Sequence, residues 1–142
     1  MTISVILQRK GHEVVSISSG ATVREAVALL AEKRIGALPV VDGDAVAGIL
    51  SERDVVYCLA SEGAAILDSP VSRIMTAPAI TIEPSVSALG ALSQMTKRRI
   101  RHLPVVEGGQ LTGLVSIGDL VAYRIARIEE EAEAMRAYIQ SA

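Results

Sequence analysis

Apolar and polar residues switch between strand-like and helix-like spacing along the first third of the chain. The β-branched run at residues 14–17 predicts a short strand, and apolar residues then recur every three or four positions after Thr22, a good N-cap residue. Runs at residues 38–41 and 46–50 flank an Asp-Gly-Asp turn and predict a hairpin, after which Ser51 begins a second helix. The predicted order is therefore strand, helix, strand, strand, helix.

The same order returns in the second half of the chain. Shifted by 65 residues, residues 15–56 match residues 80–121 without a gap, and 13 of the 42 positions are identical. About 3 identities would arise by chance from ordinary residue frequencies. Repeats of this kind bury their apolar faces against one another. The sequence therefore predicts an α+β fold of two pseudo-symmetric β-α-β-β-α units that pack through their sheets.

Helices are also predicted outside the two repeats. Thr2 is expected to cap a helix over Ile3–Lys10, and Ser69 followed by proline is expected to open a short helix over residues 71–75. The predicted division of the chain is an N-terminal helix (1–13), the first repeat (14–68), the second repeat (69–122) and a C-terminal helical extension (123–142).

A long final helix is predicted to run from Ser116 to about Gln140. Its apolar residues are spaced 4, 3, 4, 3 and 4 apart, which is the period of a coiled-coil seam. The seam consists of Val121, Ile125, Ile128, Ala132, Met135 and Ile139. A seam this regular favours a homodimer, and docking of the helix on its own chain is the alternative.

Composition argues against several classes of partner. The net charge is −2, from 14 basic and 16 acidic residues, and the chain has no Phe or Trp. We therefore expect neither the basic surface nor the stacking platforms that bind nucleic acid. No apolar run approaches the ~18 residues that span a bilayer, so no membrane partner is expected, and the first residues do not resemble a signal peptide. The single Cys58 rules out an internal disulfide and a thiolate metal cluster, and it favours a reducing cytoplasm.

Both repeats end their last strand with a Ser-x-x-Asp motif, Ser51 to Asp54 and Ser116 to Asp119. A serine at a helix start lies beside free backbone N–H groups and the positive end of the helix dipole, which suits a phosphate. An aspartate three residues later can accept two hydrogen bonds from a ribose diol. The alternative is ordinary helix capping. The occurrence of the motif twice favours binding, and the two interpretations are compatible.

A basic cluster, Lys-Arg-Arg-Ile-Arg-His at residues 97–102, is the next candidate. Arg99 or Arg101 would reach phosphate oxygens with charge-assisted hydrogen bonds. The alternative is a solvated helix end whose cations offset the helix dipole. The first repeat has Gly-Ala where the second has Arg101 and His102. We therefore expect the second repeat to provide the tighter site.

These features together resemble a tandem pair of cystathionine β-synthase (CBS) domains, as in small stand-alone bacterial proteins. The resemblance rests on Ile-Gly-Ala-Leu-Pro-Val-Val at residues 35–41 and Ile-Arg-His-Leu-Pro-Val-Val at residues 100–106, each ahead of a Ser-x-x-Asp motif. It implies two units joined through their sheets and two clefts between them. It also implies an adenine ligand such as AMP, ADP, ATP, S-adenosylmethionine or NAD(H), and often a disc-shaped dimer.

Carried over position by position, the resemblance implies two sets of nucleotide-binding residues. Asp54 and Asp119 would hold ribose hydroxyls, and Ser51 and Ser116 would lie near ribose or phosphate. The first pocket would add Ser16, Ile17, Gly36, Ala37, Leu38 and Pro39. Arg53 is a further candidate there, because Gly118 occupies the matching place in the second repeat. The second pocket would add Thr81, Ile82, Arg101, His102, Leu103 and Pro104, with Arg99 of the basic cluster and Gly118 as further candidates. Main-chain groups are expected to read the edge of the base.

The favoured function is that of a non-catalytic sensor of an adenine nucleotide that acts through an unidentified effector protein. The sequence has no phosphate-binding Gly-x-x-x-x-Gly-Lys-Ser/Thr loop, no metal-ligand spacing and no nucleophile with a base nearby in sequence. Two alternatives are a structural dimerisation module with empty clefts and, less favoured, an enzyme that uses a nucleotide.

Overall fold

The computed structural model describes residues 1–141 and contains five α-helices, four strands and two short 3₁₀ turns over that range. The helices are α1 (Ile3–Lys10), α2 (Val23–Lys33), α3 (Glu52–Glu62), α4 (Ala88–Arg98) and α5 (Ile117–Ser141). The strands are β1 (Ala37–Asp42), β2 (Ala45–Ser51), β3 (His102–Glu107) and β4 (Gln110–Ser116), and the 3₁₀ turns span Ala64–Asp68 and Val71–Arg73. This is the predicted α+β architecture of two repeated units.

The two hairpins are near-copies of each other. Strand β1 pairs antiparallel with β2, and β3 pairs antiparallel with β4. Leu38 faces Leu50 in the first hairpin, and Leu103 faces Val115, both 65 residues further on, in the second. Each hairpin also has a register shift at the equivalent place. Strands β2 and β4 contact each other, so the units meet through their sheets as predicted.

The first predicted strand of each repeat is reduced to a single bridge. Ile17 forms one parallel bridge with Val40, and Ile82 forms one with Val105. Within residues 14–17 and 79–82, only Ile17 and Ile82 pair with a hairpin strand: each donates its N–H to the proline carbonyl, and its carbonyl accepts from the N–H two residues after that proline. The prediction of continuous strands at residues 14–17 and 79–82 was therefore wrong in extent, although both segments lie along the predicted hairpin edges.

Helix starts follow the local sequence signals closely, with two exceptions. Thr22 and Glu25 form a complete capping box, and the Ser87 hydroxyl accepts from the Gly90 N–H at 2.9 Å. Thr2, in contrast, makes no side-chain cap bond and instead bridges to the Ser87 backbone. The helix predicted over residues 71–75 is only a 3₁₀ turn over Val71–Arg73. In both cases the backbone pairs with a residue of a repeat, and this pairing takes the place of the predicted cap or helix.

Each repeat completes its core with a segment from outside the aligned 42 residues. In the first core, Val71 and Ile74 pack with residues of α2, β1 and β2. In the second core, Ile3, Ile6 and Leu7 of α1 pack with residues of α4, β3 and β4. Helix α1 is therefore a structural part of the second repeat, although it precedes the first repeat in the chain.

Helix α5 continues beyond the second repeat, as predicted. Leu120 and Tyr123, near its start, are buried in the second core. The seam residues instead face outwards, with Ile125 51% and Ile128 50% exposed. The alternative that the seam docks on its own chain is therefore wrong. Across residues 1–141, no helix combines the length and apolar character needed to cross a bilayer.

Candidate functional site

A cleft of about 230 Å³ lies at the junction of the two repeats. The first repeat and the connection after it supply one wall, and the α4–β3 connection of the second repeat supplies the other. Its lining residues are Gly36, Ala37, Ile49, Ser51, Glu52, Arg53, Asp54, Thr76, Ile80, Arg99, Ile100, Arg101 and His102. Apolar side chains, carboxylates and guanidinium groups thus converge on one small space.

The first Ser-x-x-Asp motif forms the corner of this cleft where β2 becomes α3. Asp54 Oδ2 accepts hydrogen bonds from the Ser51 N–H at 2.9 Å and from the Ser51 hydroxyl at 3.0 Å. Asp54 Oδ1 accepts a bond from the Thr76 hydroxyl at 3.3 Å. The capping interpretation is therefore correct, and it fixes the carboxylate in the cleft wall. An ionised carboxylate has about four acceptor positions, so Asp54 retains capacity for a further donor.

Three arginines give the cleft a cationic side. Arg99 is the C-cap of α4 in the left-handed conformation, at φ 54°, and its carbonyl accepts a hydrogen bond from Arg53 Nη1 at 3.5 Å. Arg101 follows two residues later and is exposed. These side chains lie beside the N-terminus of α3, whose dipole also attracts negative charge. The combination suits an anionic group such as a phosphate.

His102 is half-buried where the two repeats meet. A Cβ added to Gly36 would lie 3.2 Å from His102 Cε1, so the imidazole packs directly on the glycine backbone. Burial lowers the pKa of His102, and the charges of Lys10 and Arg101 act in the same direction, whereas Glu52 and Asp119 oppose them. We therefore expect a neutral imidazole near pH 7, able to accept or donate a hydrogen bond in the cleft.

The second Ser-x-x-Asp motif is capped in the same way but has an additional partner. Asp119 Oδ2 accepts from the Ser116 N–H at 2.8 Å and from Lys10 Nζ at 2.6 Å. Lys10 also donates to the Leu114 carbonyl at 2.6 Å. Partial burial acts to raise the pKa of Asp119, but hydrogen bonds from Lys10 and Ser116 and the ammonium charge bring it below its ordinary value. Asp119 is thus an ion-paired carboxylate.

The structure brings together eight of the predicted site residues. These are Gly36, Ala37, Ser51, Arg53, Asp54, Arg99, Arg101 and His102. The grouping differs from our expectation, because Arg99, Arg101 and His102 were assigned to the pocket of Asp119 and lie instead with Asp54. The reason is the packing of the sheets: with β2 against β4, the α4–β3 connection of the second repeat faces the β2–α3 corner of the first.

The remaining implied residues lie elsewhere. Leu38, Leu103 and Ile82 are buried in the two cores, and Pro39 and Pro104 are buried with their carbonyls accepting from the Ile17 and Ile82 N–H groups. Ser16 and Thr81 are exposed and do not line the cleft. Ser116, Gly118 and Asp119 lie at the second motif. For the buried side chains, only main-chain groups remain available to a ligand.

Sequence reasoning missed Lys10, Thr76 and the apolar wall residue Ile80. Lys10 and Thr76 lie outside the aligned repeats, and nothing in their local sequence indicates contact with a motif about 109 or 22 residues away. Ile80 had a signal, because it directly precedes the predicted pocket residue Thr81. Within residues 1–141 no group of three His, Cys, Asp or Glu side chains is arranged to hold a metal ion.

Comparisons with known proteins agree with the two repeats. The CBS domain model matches residues 9–61 and 71–126. The mitochondrial CBS domain-containing protein CBSX3 of Arabidopsis thaliana is 35% identical over 148 residues, which cover 98% of this chain and 72% of that protein. A solved protein with CBS domains from Burkholderia ambifaria has a TM-score of 0.83 and 43% identity, covering 89% of this chain and 95% of its own.

A third similar protein carries a ligand. The CBS domain protein PAE2072 of Pyrobaculum aerophilum was solved in complex with AMP. It is 30% identical to this chain with a TM-score of 0.75, and the match covers 84% of this chain and 89% of that protein.

Proposed function

This chain belongs to the CBS-domain family, and we propose that its inter-repeat cleft binds an adenine nucleotide and thereby regulates a separate effector protein, without catalysing a reaction. AMP in the related Pyrobaculum aerophilum protein supports this class of ligand. AMP, ADP, ATP and NAD(H) share the adenosine unit and differ in the groups attached to the 5′-phosphate. The adenosine unit is therefore the part of the ligand that we propose the cleft to recognise.

The observation that carries the proposal is the convergence of three kinds of group on one cleft. The carboxylate of Asp54 is held in the wall with capacity to accept from a ribose diol. Arg99 and Arg101 supply cations for a phosphate. Apolar surface from Ile49 and Ile80 suits the faces of a purine ring. A nucleoside phosphate presents all three complementary parts in one molecule.

The position of the cleft supplies a route to regulation. A ligand there would touch Asp54 in the first repeat and Arg101 in the second, so its binding energy depends on how the repeats are packed. We propose that the resulting shift reaches an effector protein through a homodimer joined along the exposed seam of α5. The lone thiol of Cys58 agrees with a reducing compartment, and we propose the cytoplasm.

Calorimetric titration tests this function. Purified protein is titrated with AMP, ADP, ATP, NAD, NADH and S-adenosylmethionine, and we expect saturable binding of at least one adenine nucleotide. Asp54→Asn should weaken that binding about 10- to 100-fold, because removing a charged hydrogen-bond partner costs about 1.5–3 kcal/mol. Asp44→Asn, the same change in an exposed hairpin turn, is the matched control and should bind as the wild type does.

Three results would contradict the proposal. Absence of binding across the whole panel would favour the structural dimerisation module with empty clefts. Conversion of the bound nucleotide during prolonged incubation, followed by chromatography, would favour the enzyme alternative. Equal loss of affinity in Asp54→Asn and Asp44→Asn would show that the ligand does not use the cleft.

A further inference from the structure

Lys10, the last residue of α1, places its ammonium group at the second Ser-x-x-Asp motif. Nζ donates to Asp119 Oδ2 and to the Leu114 carbonyl, both at 2.6 Å. The side chains of Lys10 and Asp119 are 36% and 25% exposed, so this ion pair is partly shielded from water. A carboxylate in such a pair has already accepted its strongest donor.

The equivalent place in the first repeat is filled by neutral groups. Ile49 and Asp54 correspond to Leu114 and Asp119 at the 65-residue shift. There the backbone N–H of Thr76 donates to the Ile49 carbonyl at 2.8 Å, and its hydroxyl donates to Asp54 Oδ1 at 3.3 Å. The Lys10 ammonium group thus bonds two acceptors in the second repeat, and Thr76 bonds the two equivalent acceptors in the first.

The two motifs differ in the charge of the groups that bond their aspartates. Asp54 bonds only to uncharged donors within residues 1–141 and faces the cleft with the three arginines. Asp119 is neutralised by a cation from the same chain. Both donors to Asp119 bond its Oδ2, so a ribose diol that spans the two carboxylate oxygens would compete with the ammonium group and weaken the ion pair.

Lys10 is held in place by the fold of α1. Ile3, Ile6 and Leu7 are almost fully buried in the second core, and the helix ends immediately after Lys10 with the Gly11 N–H bonded to the Leu7 carbonyl. The neighbouring Arg9 contacts α5 through Glu130, at 3.5 Å. The backbone at Lys10 is therefore anchored on two sides, and the ammonium group can leave Asp119 only by rotation of its own side chain.

We propose that Lys10 is a specificity-determining residue that closes the Ser116–Asp119 pocket to ribose, so that each chain binds one nucleotide, at Asp54. This inference rests on the proposed function. Two motifs that sequence alone makes equivalent are thereby assigned different tasks. The motif at Asp54 binds ligand, and the motif at Asp119 is held by an internal cation that ties α1 to the second repeat.

The test counts binding sites by calorimetry, with AMP as the probe. The wild type should bind one AMP per chain. Lys10→Met and Lys10→Gln should each bind two, and adding Asp119→Asn to either variant should return the number to one. Arg9→Met removes a cation one residue away that does not face Asp119, and it should still bind one. Circular dichroism on each variant identifies any that fails to fold, and either Lys10 variant suffices.

The possible failures are distinguishable. Two AMP molecules bound to the wild type, or a single one still bound to a folded Lys10 variant, would overturn the closed pocket and leave the proposed function intact. Weaker or lost AMP binding in both Lys10 variants would assign Lys10 to the ligand site itself and also overturn the inference. No binding of AMP or any other adenine nucleotide to the wild type would refute the proposed function instead.

Discussion

Single residues in this protein serve the fold and the site at once. The Ser51 and Asp54 side chains complete a capping box for α3, and the same bonds fix the carboxylate in the wall of the cleft. A site residue supported this way needs no ligand to adopt its position. Pre-organisation of this kind reduces the conformational entropy lost on binding.

His102 gives a residue-scale prediction for pH dependence. Its folded-state pKa lies below the ordinary value, mainly because burial disfavours the charged ring. The unfolded chain therefore binds the proton more readily, so stability falls as the pH drops below about 6.5 towards the folded-state pKa. We expect the free energy of unfolding, measured in urea between about pH 7 and about pH 5.5, to fall more in the wild type than in His102→Gln.

Between about pH 7 and about pH 5.5 most carboxylates stay ionised, because their ordinary pKa values lie near 4. Parallel stability curves for the wild type and His102→Gln would show that His102 titrates in the folded protein as it does in the unfolded chain. That result would also remove the basis for a neutral imidazole in the cleft.

At the scale of elements, each hairpin has one close contact with a segment from outside the hairpin that crosses one of its strands. The segment at Met75 and Thr76 crosses β2 over Gly48, where an added Cβ would lie 2.7 Å from the Thr76 carbonyl oxygen. Helix α1 crosses β4 over Gly113, where an added Cβ would lie 2.7 Å from Leu7 Cδ1. Both glycines are required by close approach, but one neighbour is backbone and the other is the end of a side chain.

This difference predicts unequal effects of the same substitution. Gly48→Ala should lower the free energy of unfolding by about 1–3 kcal/mol, in the range of core overpacking. It should also weaken nucleotide binding, because Thr76 contacts Asp54. Gly113→Ala should be less destabilising, since the Leu7 side chain can shift, and should leave affinity unchanged. Urea unfolding and calorimetry measure both quantities.

A larger loss of stability in Gly113→Ala than in Gly48→Ala would contradict this interpretation of the crossings. So would full nucleotide affinity in Gly48→Ala with its stability reduced. The second outcome would mean that the position of Thr76 has no influence on the site.

The sequence predicted elements well where signals are local and poorly where partners are distant. The helix start at Thr22 and the two hairpins were predicted, because capping and tight turns depend on residues that are close in the chain. The short segments before α2 and α4 each form only a single bridge to a hairpin, at Ile17 and Ile82. The contact of Lys10 with Asp119 spans most of the chain, and no local pattern encodes it.

At the scale of the whole molecule, the exposed seam of α5 defines an orientation for the proposed dimer. In a parallel pair, residues flanking the seam would place Arg124 near Glu129 and Glu131 near Arg136 of the second copy, which are two attractive contacts. In an antiparallel pair centred on Ile128 and Ala132, Glu129 would face Glu129 and Glu131 would face Glu131. The charges therefore favour the parallel arrangement.

Cross-linking tests this orientation. In a Cys58→Ser background, Ile128→Cys should give a covalent dimer on mild oxidation, because seam residues at the same height face each other in a parallel pair. Glu133→Cys, on the outer face of the same helix, is the control and should remain uncross-linked. In light scattering, Ile128→Asp should shift the dimer to monomer. A monomeric wild type, or efficient cross-linking at position 133 alone, would contradict the parallel dimer.

The placement of α1 in the second core has a consequence for biosynthesis. Ile3, Ile6 and Leu7 leave the ribosome well before the strand against which they pack, which ends at Ser116. The first unit, closed by Val71 and Ile74, is complete much sooner. We expect the apolar face of α1 to stay unpacked on the nascent chain until β4 has been synthesised, so the first repeat folds before the second and α1 packs only with the second.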